Sequence, residues 1–264
     1  MVTVKGIPLD APLYEIDAER GVEYWGCKAL AAFFTIDGDV SDLLPAGLRL
    51  AGDPALGAVL IADYGGSTLG HYNEFVSLIQ VVGLDGKQGM YVPYIYVTND
   101  AAMAAGRELL GAPKKLAHIE ITQEYDLIQG TFERPRGKRL VTFTMKPSTR
   151  LSREAMEAVL PNGTPLYSLR QSPPVDGRGG TSELVQWFSD LFTHVDASGK
   201  EILFAGPASI TYDSPSVIDP VHRLGIGTML AAAYTEFDMA LRPGAIVERP
   251  AEQRKEEVST RSSG

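Results

Sequence analysis

The sequence predicts a β-rich α+β fold, an antiparallel barrel or sandwich with a few packed helices. Three observations lead there. Nine short segments are rich in Val, Ile, Phe, Tyr and Thr, and most are bounded by Gly, Pro, Asp or Asn. Helical segments are few. Strands and helices do not alternate in the βαβ manner that a parallel sheet needs.

In chain order, strands are expected over Leu30–Ile36, Ala58–Ala62, Phe75–Val82 and Tyr91–Val97. They continue over His118–Tyr125, Leu127–Glu133 and Arg139–Met145, then Glu201–Ala205 and Ala208–Tyr212. Asp37-Gly38 and Asp85-Gly86 are turn dipeptides, the second between two strand candidates. A short helix is expected at Asp39–Leu43. Asn99–Leu110 is a better one, capped by Asp100 and filled with Ala, Met, Arg, Glu and Leu. Ser152–Leu160 stops at Pro161-Asn162-Gly163, and Val221–Ala240 reads as a helix with Gly225 and Gly227 near its start. Arg170–Thr181, with two prolines and three glycines, reads as a loop.

The chain of 264 residues is long enough to bury a sizeable core, and 44% of it is hydrophobic. The expected organisation is one domain over residues 1–249, followed by a charged, disordered tail over 250–264. A net charge of -9 argues against nucleic acid, whose phosphates want clustered Lys and Arg, and against an anionic membrane surface. The longest apolar run, Ala29 to Ile36, is too short to span a bilayer. With a single cysteine, Cys27, and no visible signal peptide, the cytosol is the expected compartment.

Four histidines, His71, His118, His194 and His222, are scattered without a metal-ligand spacing, so no metal is expected. Gly225-Ile226-Gly227 is a lone GxG, and no GxSxG elbow is present. The informative feature is Pro113-Lys114-Lys115, set among Gly, Ala and Leu. Such a pair can be a solvated turn before a strand. In an apolar setting, one lysine can instead lose its proton near neutral pH and attack a ketone. An ordinary lysine is neutral about once in a few thousand at pH 7. Lowering its pKa by ~4 units would cost the ammonium roughly 5–6 kcal/mol. Desolvation and the like charge of Lys115 are the two available causes. In an extended segment the two side chains point to opposite faces, which makes desolvation the larger.

The run Gly106-Arg107-Glu108-Leu109 followed by Pro113-Lys114-Lys115 closely resembles the active-site signature of the acetoacetate decarboxylase family. Leu69-Gly70-His71-Tyr72-Asn73-Glu74, then Tyr91, Tyr96 and Asn99, and later Gly206-Pro207, keep the same register. The resemblance covers roughly residues 10 to 249. It implies a closed, cone-like antiparallel β-barrel, an internal pocket, a homo-oligomer and no cofactor. It also implies that Lys114 forms a Schiff base with a keto acid. Acetoacetate decarboxylase is itself the standing example of a lysine activated in this way.

By the same resemblance Glu74 is a catalytic or supporting glutamate. Arg107 and Glu108 hold the helix beside the lysine turn, pairing locally. Lys115 either packs outside or assists. Tyr72 and Tyr94 are candidates to offer phenols to the pocket. The family's strand arginine falls at Cys27, next to Lys28, and a second glutamate falls at Val59. Of that polar network only Glu74 is retained. Lys28 would serve as a carboxylate contact if it faced inward, and the apolar replacements suit a larger or aromatic partner. Decarboxylation of a β-keto acid is the first expectation. Aldol condensation of pyruvate with an aldehyde, followed by dehydration, is the second. A non-catalytic barrel for a small ligand is the third.

Overall fold

The computed structural model describes Tyr14 and residues 20–174 and 180–248. The expected tail over 250–264 lies outside the described residues. The chain opens with β1 (Val22–Thr35), β2 (Arg49–Leu50), β3 (Leu56–Ser67), β4 (Tyr72–Val82) and β5 (Gln88–Val97). Helix α1 (Asp100–Ala105) runs into a π-helical turn, Gly106–Leu110, and then β6 (Lys114–Leu116). Next come β7 (His118–Glu124), β8 (Leu127–Glu133), β9 (Arg139–Met145), β10 (Thr149–Arg150) and α2 (Arg153–Glu157). The remainder is β11 (Leu166–Ser172), β12 (Thr181–Trp187), β13 (Ser189–Thr193), β14 (Leu203–Ala205), β15 (Ala208–Tyr212), β16 (Met229–Leu241) and β17 (Ala245–Glu248).

Two sheets result. The larger runs β10-β14-β16-β1-β3-β4-β5-β11-β12-β17, and the smaller runs β15-β9-β8-β7. The expected closed cone is not seen as a closed ladder: among the described residues no sheet returns upon itself through hydrogen bonds. Instead, β12 pairs with β11 and leads through Phe188 directly into β13, which pairs with β16. One bent segment thus belongs to both flanks of the same sheet.

One face of the large sheet packs on the small sheet. Leu30, Phe34, Ile61 and Phe75 meet Ile128, Phe132 and Phe143 there. The other face gathers Tyr24, Ala29, Tyr64, Tyr72, Ile95 and Phe237 around a cavity. The central strands are therefore buried on both sides. That is why they read as near-continuous apolar runs such as Ala58–Ala62 rather than as strict alternation.

Several expectations change. Val221–Ala240 is not a helix: Val221–Leu224 is a single 3-10 turn, and Met229–Leu241 is β16, paired along its length with β1 and on its other edge with β13 and β14. The cap of α1 is Asn99, whose side chain accepts from the Ala102 amide, while Asp100 accepts only from Ala101. Asp39–Leu43 reduces to a 3-10 turn at Ser41–Leu43, and Ser152–Leu160 to α2, capped by Ser152. The loop Arg170–Thr181 is shorter than expected, because residues 170–172 belong to β11 and Thr181 opens β12.

Candidate active site

Lys114 and Glu74 meet through the sheet register. Lys114 lies beside Ile95 in the parallel β5–β6 pair, Ile95 lies beside Val76, and Glu74 is two residues from Val76 on the same face. The Lys114 amine donates to Glu74 Oε2 at 2.9 Å. Both residues are buried, at 6% and 7% exposure. The second carboxylate oxygen, Oε1, accepts from the Tyr64 hydroxyl at 3.0 Å.

Three tyrosines surround the pair. The ring centroid of Tyr72 is 5.6 Å from the Lys114 amine, within cation–π range. Tyr64 packs between Tyr72 and Tyr24, with centroids 4.9 and 4.8 Å away. The Tyr24 and Tyr72 hydroxyls share a 3.0 Å hydrogen bond. Burial, reinforced by the charge of Glu74, pushes the Tyr64 and Tyr72 phenols well above their usual range, so both remain protonated donors.

Local sequence builds this site. The π turn closes with Gly111 in the left-handed region, at φ 69°. Ser168 accepts from Trp187 and donates to the Leu110 carbonyl, which fastens the turn to β11. The Lys114 stem runs over Gly106, where a Cβ would stand 2.5 Å from Lys114 Cδ. Arg107 donates to the Lys114 carbonyl at 3.2 Å, and Glu108 accepts from Tyr14, so each holds the turn through a different partner rather than through a local pair. Asn99 also donates to the Leu69 carbonyl, tying the start of α1 to the turn before Glu74.

Lys115 points the other way. Its amine donates to Asp219 Oδ1 at 2.8 Å and to the Ile218 carbonyl. Asp219 is 2% exposed and also accepts from Arg134 at 3.0 Å and from Tyr96 at 3.2 Å. The sequence suggested burial and Lys115 as the two influences on the Lys114 amine. The structure adds an acid in direct contact and, as an extended segment implies, holds Lys115 on the opposite face.

The remaining sequence candidates divide. Tyr72 lines the cavity. Cys27 is fully buried behind it, next to Tyr64 in register, and burial pushes its thiol up to about 12. Val59 borders the cavity but sends its side chain into the core between the sheets. Lys28 is exposed on the outer face, with Asp63 and Glu236 as register neighbours, so it is no inward carboxylate contact. Tyr94 also leaves the pocket: it is paired with Ser77, on the face of β4 opposite Glu74 and Val76. Tyr64, Tyr24 and Asp219 were not singled out from the sequence. A tyrosine in a strand carries no mark of its partner, and Asp219 lies 104 residues from Lys115.

The cavity measures about 250 Å³. Its lining is mostly aliphatic, and Lys114 and Arg153 are its only cationic side chains among the described residues. Arg153 is held by Glu201 at 3.0 Å. A buried amine in contact with a carboxylate, facing an apolar cavity, is the arrangement that a lyase of the Schiff-base class uses.

The particular family follows from comparison. The family model for acetoacetate decarboxylase matches residues 8–251, and the chain belongs to that family. Acetoacetate decarboxylase 2 of Mesorhizobium japonicum is 28% identical over 93% of this chain and 89% of its own length. The acetoacetate decarboxylase structure from Legionella pneumophila superposes with a TM-score of 0.78 at 22% identity, covering 92% and 93% of the two chains. The enduracididine biosynthesis enzyme MppR, complexed with the condensation product of pyruvate and imidazole 4-carboxaldehyde, gives 0.72 at 16%, covering 92% and 96%. At such identities the two structures attest the fold.

Proposed function

We propose that this protein decarboxylates a β-keto acid through a Schiff base on Lys114. The carrying observation is the sealed Lys114–Glu74 pair at the cavity wall. Glu74 takes a proton from the ammonium, and the free amine adds to the ketone. Loss of water gives an iminium. The C–C bond to the carboxylate breaks, its electron pair flows into the iminium, and CO2 leaves an enamine behind. Glu74 is positioned to return the proton to the enamine carbon, and hydrolysis frees the ketone and the lysine.

The sparse cations of the cavity favour this over the aldol reading. Pyruvate would keep its carboxylate throughout, and among the described residues the one other cation lining the cavity, Arg153, is already held by Glu201. A β-carboxylate discharges itself as CO2. The condensation product bound by MppR supports aldol addition as the second reading of the same lysine. The family resemblance supports a single domain, a cytoplasmic site of action and a homo-oligomer. Exposed Trp25 and Phe192 are surface that such an assembly would cover. No helix among the described residues is long and apolar enough to cross a membrane.

The test is borohydride trapping with acetoacetate and, separately, pyruvate, read by peptide mass spectrometry. A reduced adduct on Lys114 with CO2 release from acetoacetate is expected. Lys114→Ala abolishes adduct and turnover while the folded circular dichroism spectrum persists. Full activity in that variant overturns the mechanism, and an adduct from pyruvate without CO2 release selects the aldol reading.

A further inference from the structure

Along the strands that carry the Lys114–Glu74 pair, the cavity wall changes character. In the rung of Glu74, the neighbouring inward residue of β3 is Ala62, and that of β1 is Ala29. One rung further, Val76 faces Leu60, and Leu60 faces Ala31. In the next rung, Leu78 faces Ala58, and Ala58 faces Phe33. The wall beyond the reacting pair is thus apolar for two rungs, and alanines recur in it where larger side chains would fill the space. From Glu74 to Leu78 is about 13 Å at roughly 3.3 Å per residue. Met90 lies at the same far end, where its amide donates to the Pro165 carbonyl. Met156 and Leu160, a few residues before Pro165 in the chain, also line the cavity, as does Arg153.

The volume points the same way. At roughly 10–15 Å³ for each atom-sized probe, the seven heavy atoms of acetoacetate would occupy about 100 Å³. The cavity offers about 250 Å³. An empty apolar remainder would waste binding surface that an alkyl chain could fill.

We infer that this stretch is an acyl-chain subsite, and that the substrates are medium-chain aliphatic β-keto acids. The inference rests on the decarboxylase reading above. The head reacts at Lys114, and the tail runs past Leu60 and Leu78 toward Met90. With C–C bonds near 1.5 Å, an extended chain advances roughly 1.25 Å per carbon, so 13 Å holds about ten carbons.

The experiment measures kcat/KM for CO2 release from 3-oxobutanoate, 3-oxohexanoate, 3-oxooctanoate and 3-oxodecanoate, with borohydride trapping of each on Lys114. Each buried methylene is expected to raise kcat/KM about fourfold until the tail reaches Met90. Ala58→Phe narrows the channel and flattens that dependence. Trapping and turnover of 3-oxobutanoate with no gain along the series overturns the subsite and leaves the decarboxylase reading standing. The same holds if Ala58→Phe folds, as its circular dichroism reports, yet keeps the full chain-length dependence. No adduct and no CO2 from any of the four overturns both.

Discussion

At position 106 the absence of a side chain is what lets Lys114 reach Glu74. An added Cβ would lie 2.5 Å from Lys114 Cδ and 2.7 Å from Cε, both too close. The stem is flexible and can move, but its amine then moves too. Misplacing a reacting group by about 1 Å costs on the order of a hundredfold in rate. Gly106→Ala is therefore expected to lower kcat about 10- to 100-fold while changing the melting temperature little. Steady-state kinetics and calorimetry check both parts, and an unchanged kcat would show that the stem does not depend on this passage. The glycine was visible in the sequence as part of a matched run. Its reason was not, because the contact it permits spans a helix turn and a strand. Tyr64 is a stronger case. Its donation to Glu74 depends on the pairing of Ala62 with Glu74, and nothing within β3 announces that partner.

At the scale of elements, Asp219 clamps β6 and Arg134, just beyond β8, to the segment before the 3-10 turn Val221–Leu224. Its carboxylate meets Lys115, Arg134 and Tyr96 on the face opposite the cavity. Holding Lys115 there fixes the side to which Lys114 must point, since neighbours along a strand alternate. Asp219→Ala removes the only anion of this group. Lys115 and Arg134 are each about a third exposed and can be partly rehydrated, which tempers the loss to about 2–3 kcal/mol. A fall in melting temperature of roughly 5–10 °C is expected, with slower trapping at Lys114. An unaltered melting temperature would mean that the clamp contributes nothing. Elements differed in how plainly the sequence showed them. Hairpins β7–β8 and β8–β9 were legible, because their strands are short, β-branched and bounded by turn residues. Strand β16 was not: its Ala-Ala-Ala core and its Leu and Met residues favour helix locally, and pairing on both edges overrides that preference.

For the whole molecule, the decisive accounting is of buried phenols. Tyr24, Tyr64, Tyr72 and Tyr212 all have their ionisation pushed up, chiefly by burial. An unfolded chain would release these protons near pH 10. A group whose folded pKa is raised contributes stability that is complete below the unfolded value and is lost as pH rises above it. Above pH 10 the four together remove about 5 kcal/mol of stability for each further pH unit. Domains are typically stable by about 5–15 kcal/mol, so the fold is expected to fail between about pH 11 and 13. Tyrosine ionisation, followed by ultraviolet absorbance, should then rise in one cooperative step that coincides with the loss of circular dichroism. Gradual ionisation with the fold intact would contradict the burial of this cluster. Because three of these tyrosines enclose Lys114 and Glu74, the same packing that excludes water from the reacting pair sets the alkaline limit of the protein, and no variant that opens the site to solvent can leave that limit where it is.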